Sequence, residues 1–218
     1  MSKQKICRGF IYILGMVLLA LGITMNTKTN LGVSPLISVA FCVSNLTDTN
    51  FGDMTLVWYT IFVLVEIVSH ICTKRYKAIP ADILQIPVSI VFTRFMNLFS
   101  GVISEMTGSL AVRVLLLVIA IVLTGAGIGF TLSARLIPNP GDGIVQALSD
   151  CSGKKISTVK NLLDATCVLL TIIISLIFAG ELIGIGVGTI LAVIGVGRVV
   201  AVFNHFLNDK LLWMNGLN

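Results

Sequence analysis

Pro35 and Pro140 lie about 105 residues apart, and the ungapped register that superimposes them pairs other positions too. Val17-Leu18 falls on Val122-Leu123, Gly22-Ile23 on Gly127-Ile128, Leu31 on Leu136, Ser44 on Ser149 and Leu64 on Leu169. The chain reads as one unit written twice, over residues 1–106 and 107–218. Each copy runs in the same order: an apolar segment, a Gly/Asn/Pro break, a short apolar stretch, and two more long apolar segments. The identities are few, so the shared order of breaks and runs carries the duplication.

The solvent for such a chain follows from its composition. Of 218 residues, 56% are hydrophobic and 11% charged, and the mean hydropathy is +1.01, against roughly 25% charged in soluble domains. The expected class is an all-α integral membrane protein. About 20 apolar residues span a bilayer, and the runs near 10–27, 53–72, 81–102, 112–133, 156–179 and 182–206 supply six spans, leaving little for a soluble domain. Lys3, Lys5 and Arg8 before an apolar run have the form of a signal peptide, but the segment has its counterpart at 112–133 and is read as a span. In a soluble protein the net charge of +5 would suggest nucleic acid. Here the basic residues cluster in loops, as the positive-inside rule expects, and no nucleic-acid partner is implied. The cysteines, Cys7, Cys42, Cys72, Cys151 and Cys167, show no metal spacing and read as reduced thiols.

The stretches 35–46 and 140–151 decide the topology. Each makes roughly 18 Å of helix, about half of a 30 Å hydrocarbon core. If both cross fully, the result is eight spans and a parallel repeat, with Lys74, Arg75, Lys77 and Arg135 outside. If both re-enter, six spans place Lys3, Lys5, Arg8, Lys74, Arg75, Lys77, Arg135, Lys154, Lys155, Lys160 and Lys210 in the cytoplasm, and only Lys28 and Arg113 outside. Re-entry is favoured. Three crossings and one hairpin per copy then invert the second copy relative to the first. Both termini are expected in the cytoplasm.

Ser34-Pro35 and Asn139-Pro140 each place a capping side chain before a proline at the first helical position. Gly32 and Gly141 ease the turns, and Asp142 sits where a carboxylate accepts first-turn N–H groups. Both starts are expected near the midplane at the interface of the copies, where a solute or coupling site would use Ser34, Pro35, Asn139, Pro140 and Asp142. Ionisable residues within spans are costly and usually face a cavity or a partner. Asp164 follows Lys160 by one turn. Arg94 and Arg198 fall at similar places in the last helix of each copy, near Asn97 and Asn204, and join the candidate site. Glu66 and His70, four apart, are expected to pair with each other, and Asp82 to be interfacial. Gly184, Gly188 and Ala192 read as a close helix-packing stripe.

At Gly32-Val33-Ser34-Pro35, Pro140-Gly141-Asp142-Gly143, Leu84-Gln85-Ile86-Pro87-Val88 and Gly186-Val187-Gly188-Thr189 the chain resembles the YczE/YyaS/YitT group of bacterial membrane proteins over nearly its full length. That group has a Gly-x-Ser-Pro break in the first copy, Gly-x-x-Pro-x-Asp-Gly in the second, and Gly-x-Gly-Thr opening the final helix. Here Ile137 replaces the glycine before Pro138, and Ile37 or Ser38 stands where the first copy often carries an acid. The resemblance implies a multi-pass protein of the bacterial inner membrane.

The expected function is a transporter or channel for a small polar, possibly anionic or zwitterionic, solute, with its site at the repeat interface. The alternative is a non-catalytic membrane accessory or assembly protein. No nucleophile with its base, metal cluster or nucleotide fingerprint is visible, so no enzyme activity, cofactor or metal is expected; the expected partners are the solute and the bilayer.

Overall fold

In a computed structural model the chain is described over residues 3–215, with the side chains of Lys3, Asn208 and Asp209 excepted. The side chain of Lys3 and the C-terminal end, both expected on the cytoplasmic side, lie outside the described residues. Eight helices follow one another: α1 (Lys3–Lys28), α2 (Pro35–Leu46), α3 (Phe51–Cys72), α4 (Ile79–Val102), α5 (Leu110–Ala134), α6 (Pro140–Ser152), α7 (Ile156–Phe178) and α8 (Val187–Met214). Among the described residues there is no strand. Six helices are long and apolar enough to cross a membrane, and α2 is a shorter apolar helix. Their bounds follow the apolar runs to within a few residues, except that α1 begins ahead of its run, at Lys3, and α8 begins and ends later than its run, at Val187 and Met214. Gly184 is left in a turn at φ 76° rather than on that helix, so the small-residue stripe reduces to Gly188 and Ala192.

The chain forms two compact units, each drawing on both halves of the sequence. The first, residues 1–34, 98–136 and 186–218, packs α1, α5 and α8. Arg8, near the start of α1, donates to the carbonyls of Ala134 at 2.6 Å and Arg135 at 2.5 Å. Arg113, near the start of α5, donates to the carbonyls of Thr29 at 2.7 Å and Asn30 at 2.6 Å. Each arginine thus supplies donors to the unsatisfied C-terminal carbonyls of the other helix, and α1 and α5 run antiparallel. Midway along both helices the backbones touch. A Cβ at Gly22 would lie 2.6 Å from the Thr124 nitrogen and 2.8 Å from the Ala120 oxygen, and one at Gly127 would lie 2.5 Å from the Leu19 nitrogen and 2.8 Å from the Gly15 oxygen. The extended segment after α1 meets the start of α8, where the Gly188 N–H donates to the Leu31 carbonyl at 2.7 Å.

The second unit, residues 35–97 and 137–185, packs α2, α3, most of α4, α6 and α7. Helices α3 and α4 form an antiparallel hairpin laced by side chains. From one end to the other these are Asp53 with Arg94 at 3.0 Å, Tyr59 stacked on Phe92 with centroids 6.1 Å apart, Glu66 with Gln85 at 2.6 Å, and His70 with Asp82 at 2.7 Å. Glu66 and His70 therefore pair across the hairpin rather than with each other, because α4 presents an amide and a carboxylate to the same face. Asp82, expected at the interface, is 4% exposed.

Candidate functional site

The site is built where α2 and α6 begin, against the middle of α3. Asn139 caps α6, its side-chain oxygen accepting from the Gly141 N–H at 3.0 Å, with Pro140 at the first helical position. Gly153, at φ 68°, closes the other end. Ser34 precedes Pro35 in the same way, yet its hydroxyl makes no hydrogen bond among the described residues. The first turn of α2 is thus left uncapped, with the N–H groups of Leu36 and Ile37 without partners there.

Consecutive residues of α3 hold the two starts. The Trp58 indole donates to the Leu36 carbonyl at 2.9 Å, and the Tyr59 phenol lies beside the Asn139 side chain and within electrostatic reach of Asp142. A Cβ on Gly141 would be 3.3 Å from the Leu36 side chain, so the two helix starts touch. From there the helices diverge. Helix α2 ends beside the start of α3 and the end of α7, with the Phe41 and Phe51 rings 5.6 Å apart and the Cys42 thiol 3.1 Å from the Ser175 hydroxyl. Helix α6 ends beside the other end of α3, where Arg75 is paired with Asp150.

Around the α6 start lies a charged group. Asp142, partly exposed, does not accept the first-turn N–H groups; its own N–H bonds the Asn139 carbonyl at 2.8 Å, and its carboxylate lies within reach of the Lys160 ammonium. Lys160 also pairs with Asp164 at 3.6 Å. Asp164 is 8% exposed, and one of its oxygens has no hydrogen-bond partner. Lys160 is thus paired with Asp164 and also acts electrostatically on Asp142, and two carboxylates with one ammonium carry a formal negative charge when all three are ionised. Tyr59 was not singled out in the sequence, although it falls on Asp164 in the repeat register of about 105 residues, whereas Lys160 stands with Asp164 as their one-turn spacing suggests.

Of the candidate residues, Pro35, Asn139, Pro140, Asp142 and Asp164 come together in this unit. Arg94 stands apart at the far end of the α3–α4 hairpin. It is exposed and paired with Asp53, which also accepts from the Asn97 amide at 3.0 Å. Ser34 falls in the first unit, at its boundary with α2. Arg198 belongs to that unit too; it is exposed on α8 and has no hydrogen bond or ion pair among the described residues.

Residues 6–205 match the model of a family of unknown function, DUF6198. The chain is 26% identical to the Bacillus subtilis uncharacterized membrane protein YczE, over 92% of this chain and 86% of that protein. It is 24% identical to the uncharacterized protein YyaS of the same organism, over 91% of this chain and 96% of the relative. No solved structure matches. The six apolar helices and the relation to a membrane protein establish a multi-pass membrane protein.

Proposed function

We propose that this chain, which belongs to the DUF6198 family, is a membrane transporter or channel for a small polar solute, built as an inverted repeat with its site where α2 and α6 begin. The observation that carries this reading is the meeting of two half-length helices, start to start, against Trp58 and Tyr59 of a full-length one. Helix starts present partial positive charge to a bound group, and broken segments of this kind line solute sites in repeat-built transporters.

The reciprocal arginines support the inversion. Arg8 and Arg113 stand about 105 residues apart, as do the carbonyls they meet. An eight-span parallel duplication would run α1 and α5 in the same direction. In the inverted reading α2 and α6 are the returning limbs of re-entrant hairpins. The end of the first unit bearing Arg8 and Arg135 is then cytoplasmic, as is the end of the second bearing Arg75, Lys154 and Lys155.

The two starts differ in sign. That of α2 is uncapped, which suits an anionic group, whereas that of α6 carries Asp142, near Lys160 and Asp164, whose excess carboxylate suits a cationic one. A zwitterionic solute satisfies both ends at once. A second reading, as an accessory or assembly protein, draws on Arg198, because an exposed and unpaired arginine within an apolar helix is costly in lipid and a partner would relieve that cost.

The test is a thermal-shift screen of amino acids, amines and carboxylates on the purified protein, followed by uptake into proteoliposomes. A site ligand raises the melting temperature as its concentration exceeds Kd, and a zwitterion is expected to do so where its amine or acid fragment does not. If none of the three classes shifts the protein and none accumulates, while a second polypeptide copurifies in stoichiometric amount, the accessory reading replaces this one.

A further inference from the structure

The middle of the α3–α4 hairpin holds a polar cluster that the solute site does not use. Glu66 and Gln85 are each 1% exposed and Ser89 2%. The Gln85 amide nitrogen donates to one Glu66 oxygen at 2.6 Å. The other Glu66 oxygen, the Gln85 carbonyl oxygen and the Ser89 hydroxyl have no hydrogen-bond partner. Gln85 and Ser89 are four residues apart on α4 and so share a face.

A carboxylate oxygen and an amide oxygen only accept, so they cannot satisfy one another, and each buried unmatched group costs about 1–3 kcal/mol. One proton on Glu66 changes the inventory. Its O–H becomes a donor to the Gln85 carbonyl, closing a reciprocal acid–amide pair in which each side chain gives one hydrogen bond and takes one. The third wall of the cluster is Gly143 of α6, where a Cβ would lie 2.7 and 2.8 Å from the two Glu66 oxygens and 2.9 Å from the Gln85 nitrogen.

A route to the pair lies along the same hairpin. One turn beyond Glu66 on α3 is His70, 8% exposed, joined at 2.7 Å to Asp82 of α4, and beyond them the helices reach the loop of Lys74, Arg75 and Lys77. The ionisable groups on the elements packed at Glu66 include Tyr59 and His70 on its own helix, Asp82 on α4, which acts on it electrostatically, and Asp142 and Asp150 on α6.

We propose that Glu66 is a proton-binding site, loaded through the His70–Asp82 pair, and that Gly143 transmits its protonation to the start of α6. Gly143 directly follows Asp142, so a change in the hydrogen bonding of the Glu66–Gln85 pair acts on the segment that carries the charged group of the solute site. Proton binding stands on the cluster itself; its consequence for uptake rests on the transport reading.

Infrared difference spectra of the full chain in lipid nanodiscs, recorded as the pH is raised, test it. The expected result is a protonated-carboxyl carbonyl band that disappears with rising pH, is lost in Glu66→Gln, shifts in frequency in Glu66→Asp, and is perturbed in Gly143→Ala. Should Glu66→Gln fail to fold, the frequency shift in Glu66→Asp still assigns the band. Absence of such a band in the wild type, or its persistence unshifted in both Glu66 variants, overturns the proposal. In proteoliposomes Glu66→Gln is expected to lose the response of uptake to a pH gradient while retaining solute exchange. A titrating Glu66 band in a protein that moves no solute keeps the proton site and removes the transport reading, and uptake without the band does the reverse.

Discussion

The Ser38 hydroxyl lies 2.7 Å from the Thr171 hydroxyl, joining α2 to α7. The positions about 105 residues along and back are Gly143 and Glu66, which face each other between α6 and α3. One contact has thus taken two chemistries. In the α2–α7 version both hydroxyls have partners: one donates across the pair and the other to a carbonyl of its own helix, Pro35 for Ser38 or Cys167 for Thr171. In the α3–α6 version the serine has become a glycine and the threonine an acid, and the glycine makes room for a carboxyl whose second oxygen is unmatched.

The topology carries a direct prediction. In a background without Cys72 and Cys151, single cysteines replacing Asp48 and Glu181 are expected to react with an impermeant maleimide from outside intact cells, and one replacing Lys74 only after the cytoplasmic face is opened. Asp48 and Glu181 lie in the loops that follow α2 and α7, whose ends meet at Cys42 and Ser175. External labelling at Lys74 would overturn the inverted arrangement.

The exchange of arginines predicts matched losses. Arg8→Ala and Arg113→Ala each remove two hydrogen bonds from a charged donor to helix-end carbonyls, worth about 1.5–3 kcal/mol at partly buried sites. The two variants are expected to lower stability in detergent unfolding by similar amounts. A large loss for one beside none for the other would contradict their equivalence.

The two proline starts are expected to behave differently. Asn139→Ala removes a cap that is made and is expected to cost about 1 kcal/mol. Ser34→Ala removes a hydroxyl without a partner and should leave the melting temperature near that of the wild type. Equal losses would show that Ser34 caps α2 after all.

How much of this was legible in the sequence depended on the range of the interaction. Span limits follow from apolar runs, and both half-helices from Ser34-Pro35 and Asn139-Pro140, because these are local properties of the chain. The pairing of His70 with Asp82 and of Glu66 with Gln85 was not legible, since four-residue spacing points equally to a pair within α3 and only the hairpin brings α4 to that face. For Asp142 only the capping role differs. Its place in the first turn suits a cap, but Asn139 already serves the Gly141 N–H, and the carboxylate accepts no first-turn N–H group among the described residues. The Arg8–Arg113 match did have a signal, their separation of about 105 residues, which passed unremarked because arginines near helix ends are ordinary in membrane proteins.

The freedom of Asp142 from capping sharpens what its removal should do. A structural carboxylate would be replaced at a cost in stability, whereas this one accepts none of the first-turn N–H groups and interacts electrostatically with Tyr59 and Lys160. Asp142→Asn keeps size and polarity and removes the charge. It is therefore expected to fold with stability within about 0.5 kcal/mol of the wild type while losing solute uptake in proteoliposomes and the ligand-induced thermal shift. Asp164→Asn leaves Lys160 with one carboxylate instead of two and is expected to weaken ligand binding with a measurable loss of stability, because Asp164 is buried in its ion pair. Normal uptake by Asp142→Asn would remove that residue from the mechanism and place the charged end of the site on Asp164 and Lys160 alone.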